Sequence, residues 1–107
     1  MNHLETAQTI LAQLGGRRFI VMTGAKHLAG DDTGLQFSLP GGGFCRDGIN
    51  KVRITLNSMD LYDVDYYRIR GTRAVVVAES RGLYADMLAD DFTEKTGLAV
   101  SLGTCAG

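Results

Sequence analysis

Residues 51–79, KVRITLNSMDLYDVDYYRIRGTRAVVVAE, decide the fold class. From Lys51 to Asn57 the chain alternates: Val52, Ile54 and Leu56 point one way, Lys51, Arg53, Thr55 and Asn57 the other. Strict alternation is the signature of a strand with one face buried. Asn57-Ser58-Met59-Asp60 reads as a turn, and Leu61 to Arg70 resumes the extended pattern. Gly71-Thr72 predicts a tight hairpin into Arg73–Glu79. The continuous Val75-Val76-Val77 run predicts a strand well inside the sheet, because only a strand buried on both faces is ordinarily apolar at successive positions.

Working outward, Leu35 to Leu39 alternates and ends at Pro40, the one proline of the chain. Arg18 to Thr23, short, β-branched and aromatic, is read as a further strand. Residues 40–50, glycine-rich at Gly41–Gly43 and Gly48, predict a flexible loop. At the N-terminal end Asn2 and Glu5 have capping-box spacing. Leu4, Ala7, Ile10, Leu11 and Leu14 then recur at helical intervals until Gly15-Gly16. A second helix is predicted over Tyr84–Thr96, with Tyr84, Met87, Leu88 and Phe92 as its apolar stripe and Asp86, Asp90 and Glu94 opposite. Gly97-Leu98 fits its stop. Leu98–Leu102 is a candidate final strand, and residues 103–107 read as a loose tail.

The sum is one α+β domain over residues 1–107: a single antiparallel sheet of about five strands, with an N-terminal and a C-terminal helix packed on one face. At 107 residues the chain is long enough for one core without metal or disulfide staples. Residues 1–53 carry six basic and four acidic side chains (+2), residues 54–107 five and eight (−3), which sum to the net −1 of the chain. That balance argues against steering of nucleic acid by overall charge. No apolar run approaches a membrane span, and the first residues lack a signal-peptide pattern, so a cytoplasmic location is the expectation. Cys45 and Cys105 suit two reduced thiols better than a secreted framework, though a bridge between them stays open.

Candidate sites are few. Ala78-Glu79-Ser80-Arg81-Gly82 stands between a predicted strand and a predicted helix, the context of a nucleophile elbow. Glycine is missing at Ala78, and both histidines, His3 and His27, precede the serine, so a turn serine is the better reading. Thr23-Gly24-Ala25-Lys26 lacks phosphate-loop spacing. Asp31-Asp32 and Asp60/Asp63/Asp65 read as solvated turn charges rather than a calcium loop, and Asp86, Asp90, Asp91 and Glu94 as an ordinary acidic helix surface. No cofactor or metal is expected. The surface singled out is basic: Lys51 and Arg53 on one strand, Arg68 and Arg70 on a later one, and Arg73 past the hairpin, with Tyr66 as a stacking ring in the same alternation. On neighbouring strands they would line the sheet away from the helices and hold phosphates or an acidic protein. The bland alternative is a solvated face with charges that discourage aggregation.

Several strings resemble a group of small proteins from bacteriophages, prophages and mobile elements: Ile10-Leu11-Ala12-Gln13-Leu14-Gly15-Gly16, Phe19, Met22-Thr23-Gly24-Ala25-Lys26, Ile54-Thr55-Leu56-Asn57, Met59-Asp60-Leu61-Tyr62-Asp63 and Tyr84-Ala85-Asp86-Met87-Leu88. The resemblance runs from the first helix through Leu98; the Gly41–Gly48 loop and Ser58, in place of glycine, depart from it. It implies a phage or prophage origin and a bacterial cytoplasm, and attaches no functional residue. The leading expectation is therefore a non-enzymatic accessory protein that binds a macromolecule, above all a host protein. Next stands weak nucleic-acid binding through the basic face, and third a small enzyme using Ser80 or Cys45. Exposed sheet edges leave a homodimer open.

Overall fold

In the computed structural model, which describes residues 5–40 and 45–98, five strands lie side by side in chain order, each antiparallel to the next. They are β1 (Lys26–Gly30), β2 (Gly34–Ser38), β3 (Lys51–Leu56), β4 (Tyr62–Arg70) and β5 (Arg73–Leu83). The helices are α1 (Glu5–Leu14), α2 (Arg17–Thr23) and α3 (Leu88–Thr96). Single 3₁₀ turns cover Arg46–Gly48 and Ala85–Met87. The predicted α+β architecture, one antiparallel sheet with an N-terminal and a C-terminal helix, is the one observed.

Register explains which side is buried. Phe37 opposes Val52 and Val52 opposes Tyr66; Leu35 opposes Ile54 and Ile54 opposes Val64. All six are buried, and α1 adds Ala7, Ile10 and Leu14 to the same core. At its centre Phe19 of α2, Phe37 of β2 and Phe92 of α3 form a triangle. Phe19 meets Phe37 edge-on at 5.3 Å between centroids and Phe92 at 5.1 Å, while Phe37 and Phe92 stand 6.1 Å apart. Edge-to-face contacts of this kind add to the area term of buried rings.

Polar side chains set the turns. Asp31 Oδ1 accepts from the Thr33 and Gly34 amides, each at 2.9 Å, and shapes the β1–β2 turn. Asn57 Oδ1 accepts from the Met59 and Leu61 amides at the β3–β4 turn. Asn50 acts as a spliced ladder residue: its Oδ1 accepts from the Ile69 amide and its Nδ2 donates to the Ile69 carbonyl. Gly34 has no room for a side chain, since a Cβ there would lie 1.9 Å from the Ile54 carbonyl oxygen.

Four expectations are corrected. Arg18–Thr23 is helical, not a strand, because Gly16 at φ 63 and Gly24 at φ 73 isolate two helical turns. Phe19 and Thr23, four apart, are buried, while Val21 is 74% exposed; core packing of that one face overrides β-branched propensity. Lys26–Gly30, where no strand was foreseen, pairs with β2 as an edge strand with no fully buried residue to mark it in the sequence. The valine run lies on β5 at the sheet edge, with Val75 38% and Val76 47% exposed. Ala78–Gly82 belongs to β5 rather than to a turn.

The C-terminal helix is shorter than expected: Tyr84 and Met87 precede it and are exposed, and its buried stripe is Leu88, Phe92 and Thr96. Asn2, residues 41–44 and residues 99–107 lie outside the described residues, and with them the capping box, much of the predicted loop, all but Leu98 of the final strand, and the loose tail. No helix among the described residues is long and apolar enough to cross a membrane.

Two substitutions test this account by urea denaturation. Phe92→Ala should cost about 3–5 kcal/mol, a large part of the stability of a domain this size. Gly34→Ala, though it only adds a methyl, should cost roughly 2–3 kcal/mol, because strands β2 and β3 must separate to admit it. A loss under about 0.5 kcal/mol at either position contradicts the packing described.

Candidate functional site

All the buried side chains of β2, β3 and β4 turn toward the helices, and among the described residues no element covers the other side of the sheet. Cross-strand partners share a face, so Gln36, Arg53, Asp65 and Glu79 form one row on the open side. Ser38, Lys51, Tyr67 and Val76 form the next, and Ile69 and Ala74 follow.

The first row neutralises itself. Arg53 Nη1 lies 3.1 Å from Asp31 Oδ2, and its Nη2 donates to Thr33 Oγ1 at 3.0 Å. Arg81 Nη2 reaches Asp65 at 2.8 Å and Glu79 at 2.6 Å. The Thr33 amide, then the Arg53 guanidinium, hold the Asp31 carboxyl well below the usual carboxylate range. Asp65, first through its hydrogen bond and then through its charge, holds the Arg81 guanidinium up. These pairs are exposed and fix geometry more than they stabilise.

The other end of the open face differs. Tyr67, Ile69, Ala74 and Val76 make an apolar strip beside two shallow depressions of about 360 Å³ each. One is lined by Gln36, Lys51, Arg53, Tyr67, Ile69 and Ala74; the other by Lys26, His27, Ser38, Leu39, Pro40, Asn50, Lys51 and Ile69. Sharing Lys51 and Ile69, they form one trough across the sheet. Among the described residues neither Lys26 nor Lys51 enters an ion pair. His27, on the trough wall, has a left-handed backbone at φ 56.

The predicted basic stripe is thus divided. Lys51 and Arg53 occupy the open face as expected, but Arg53 is committed to Asp31. Tyr66 is no stacking ring: it is 1% exposed in the core, and its hydroxyl donates to Asp91 at 2.6 Å. Arg68 shares its alternation and so falls on the helix side, packed against Gly48 and within 3.5 Å of the Asp47 carbonyl. Arg70 and Arg73 oppose each other at the hairpin end. The ring on the open face is Tyr67, the partner of Lys51 in register.

Asp91, expected on an exposed acidic surface, is turned inward. It accepts from Tyr66 and from Ser80 Oγ at 2.7 Å, and Lys95 stands 3.5 Å away. It therefore bolts α3 to β4 and β5, and employs the one serine with a possible nucleophilic reading as a structural donor. His27 lies on the opposite edge strand. Cys45 is buried and desolvation pushes its thiol up, against the thiolate a nucleophile needs. Among the described residues no three His, Cys, Asp or Glu side chains gather as metal ligands.

Burial first, and the Asp91 hydrogen bond second, push the Tyr66 hydroxyl above the ordinary phenol range. A group whose pKa rises on folding stabilises the fold below its unfolded value, about 10 for tyrosine, and loses that contribution as pH climbs past it. Alkaline unfolding should accordingly begin above about pH 10, with one phenol ionising only as the protein unfolds. Tyr66→Phe should lower neutral-pH stability by roughly 1 kcal/mol and flatten the alkaline limb. A phenol titration that is complete while circular dichroism stays native would contradict this. No protein family, curated protein or solved structure matches this chain.

Proposed function

We propose that the chain is a non-enzymatic binding module that docks a partner protein on the open face of its sheet. With the phage-protein resemblance as context, the partner is a protein of a bacterial host, met in its cytoplasm. The observation that carries the reading is the pairing of an apolar strip, Tyr67, Ile69, Ala74 and Val76, with Lys26 and Lys51, on a face that, among the described residues, no helix covers and where neither lysine enters an ion pair. Apolar and aromatic side chains ringed by polar ones are the ordinary anatomy of a protein interface.

Weak nucleic-acid binding is the second reading, supported by Tyr67 beside Lys51, a ring and a cation on one surface. Against it, Arg53 is already paired and Arg68, Arg70 and Arg73 lie elsewhere, so few phosphates would be met. The small-enzyme reading gains nothing from the positions of Ser80 and Cys45.

The test is capture from bacterial lysate, with and without nuclease treatment, by the wild type and by Lys51→Glu/Tyr67→Ser. The wild type should retain a stoichiometric protein, and the variant should bind it at least about ten-fold more weakly, as expected for losing an aromatic anchor. Equal capture by both would move the interface off this face. Retention of nucleic acid alone, lost steeply with salt, would put the second reading first.

A further inference from the structure

The hairpin of β4 and β5 outruns the rest of the sheet. The last residue of β4 to pair with β3 is Tyr67, opposite Lys51, whereas pairing with β5 continues through Arg68 and Ile69 to Arg70, opposite Arg73. Beyond Tyr67 the sheet is therefore a two-stranded ribbon, braced at its base by the Asn50 side chain on Ile69 and by Gly48 against Arg68. Three residues of strand rise carry it ~10 Å past β3. From Tyr66 to Ala78 the chain holds three arginines and no acidic residue, in a protein whose net charge is −1.

All three arginines lie on the side of the ribbon that continues the helix side of the sheet. Arg68 and Arg70 keep the parity of Tyr66, and Arg70 opposes Arg73. Among the described residues, which hold all twelve acidic side chains of the chain, none of the three is within ion-pair distance of a carboxylate. Arg68 Nη1 reaches a backbone carbonyl instead, that of Asp47 at 3.5 Å. Like charges directly opposite one another destabilise a strand pair. Arg70 and Arg73 therefore weaken the hairpin, with no carboxylate beside them to offset it.

We propose that this ribbon is an arm for duplex DNA, laid in the major groove with Arg68, Arg70 and Arg73 on the phosphates that flank it. The B-form major groove is about 12 Å wide and admits a two-stranded ribbon. Guanidinium groups meet phosphate bidentately, and binding of this kind rests on cations rather than on an apolar centre. A protein interface needs such a centre. The arginine side of the ribbon offers only Val75, 38% exposed, because the apolar strip of Tyr67, Ile69, Ala74 and Val76 lies on the opposite side. Duplex RNA is disfavoured by shape, since its deep, narrow major groove is closed to side chains. The open face stays available to the partner protein, so the ribbon is a second surface with a second partner.

Fluorescence anisotropy on a labelled, random-sequence B-DNA duplex, titrated from low to physiological salt, tests this. Log K should fall against log salt with a slope of about −2.7, the sum for three phosphates met. R70A/R73A should bring that slope to about −1. Its urea midpoint should hold or rise, since the opposed charges are gone. R17A/R18A removes the same charge from α2, which leads into the opposite edge strand, and should leave the slope unchanged. Duplex RNA of the same sequence should bind several-fold more weakly. The proposal is overturned by no binding at low salt, by a slope that R70A/R73A moves no more than R17A/R18A does, or by RNA bound as tightly as DNA. Displacement of the DNA by poly-glutamate as readily as by unlabelled duplex of equal charge would also overturn it, and would give the ribbon to an acidic protein.

Discussion

The contact among Phe19, Phe37 and Phe92 fixes the layer order of the molecule. One ring comes from α2, one from β2 and one from α3, so a helix near each end of the described chain is pinned to the same side of one strand. Once that triangle is buried, the amphipathic stripe of α1 has a single apolar surface to meet, that of β2, β3 and β4. The bare opposite face follows directly. With three helices committed to one side, nothing among the described elements is left to cover the other.

Hydrogen bonds then divide the charged residues into those spent on the fold and those left over. Asp91 joins α3 to two strands, and Asp31 holds a turn and a guanidinium together. Arg81 is held by two carboxylates, and Asp63 accepts from Asn57 and from the Gly82 amide. What remains on the open face is apolar surface flanked by Lys26 and Lys51. A count of lysines and arginines in the sequence overstates this protein's capacity for polyanions, because it includes cations the fold has already used.

Alternation made β2, β3, β4 and the Gly71-Thr72 hairpin legible, since each has one buried face. α2 was not, because Phe19, Ile20 and Val21 carry strand propensity and only the Phe19–Thr23 spacing, set by core contacts, marks a helix. The valine run misled for the opposite reason: exposed at an edge, it has no pattern to betray its position. The basic side chains of β3 were placed correctly. Tyr66 was not, although Tyr62, Val64 and Tyr66 share the parity of a buried row. Arg68 and Arg70 continue that parity past the limit of the helix layer, so their charge says nothing about the face on which the row begins. Asp91 follows the same logic: three residues after Leu88 and one before Phe92, it flanks the buried stripe of α3.

The meander has a consequence for how the chain is made. Every strand pairs with its neighbour in sequence, so the sheet closes through local hairpins and never waits for a distant segment, the arrangement associated with rapid folding. The core differs, because Phe92 comes more than fifty residues after Phe37 and more than seventy after Phe19. During synthesis the sheet can form with its buried face still uncovered, and it stays a sticky, half-roofed intermediate until α3 leaves the ribosome. The interval between β5 and α3 is then the stretch of translation in which a chaperone, or a premature stop, matters most.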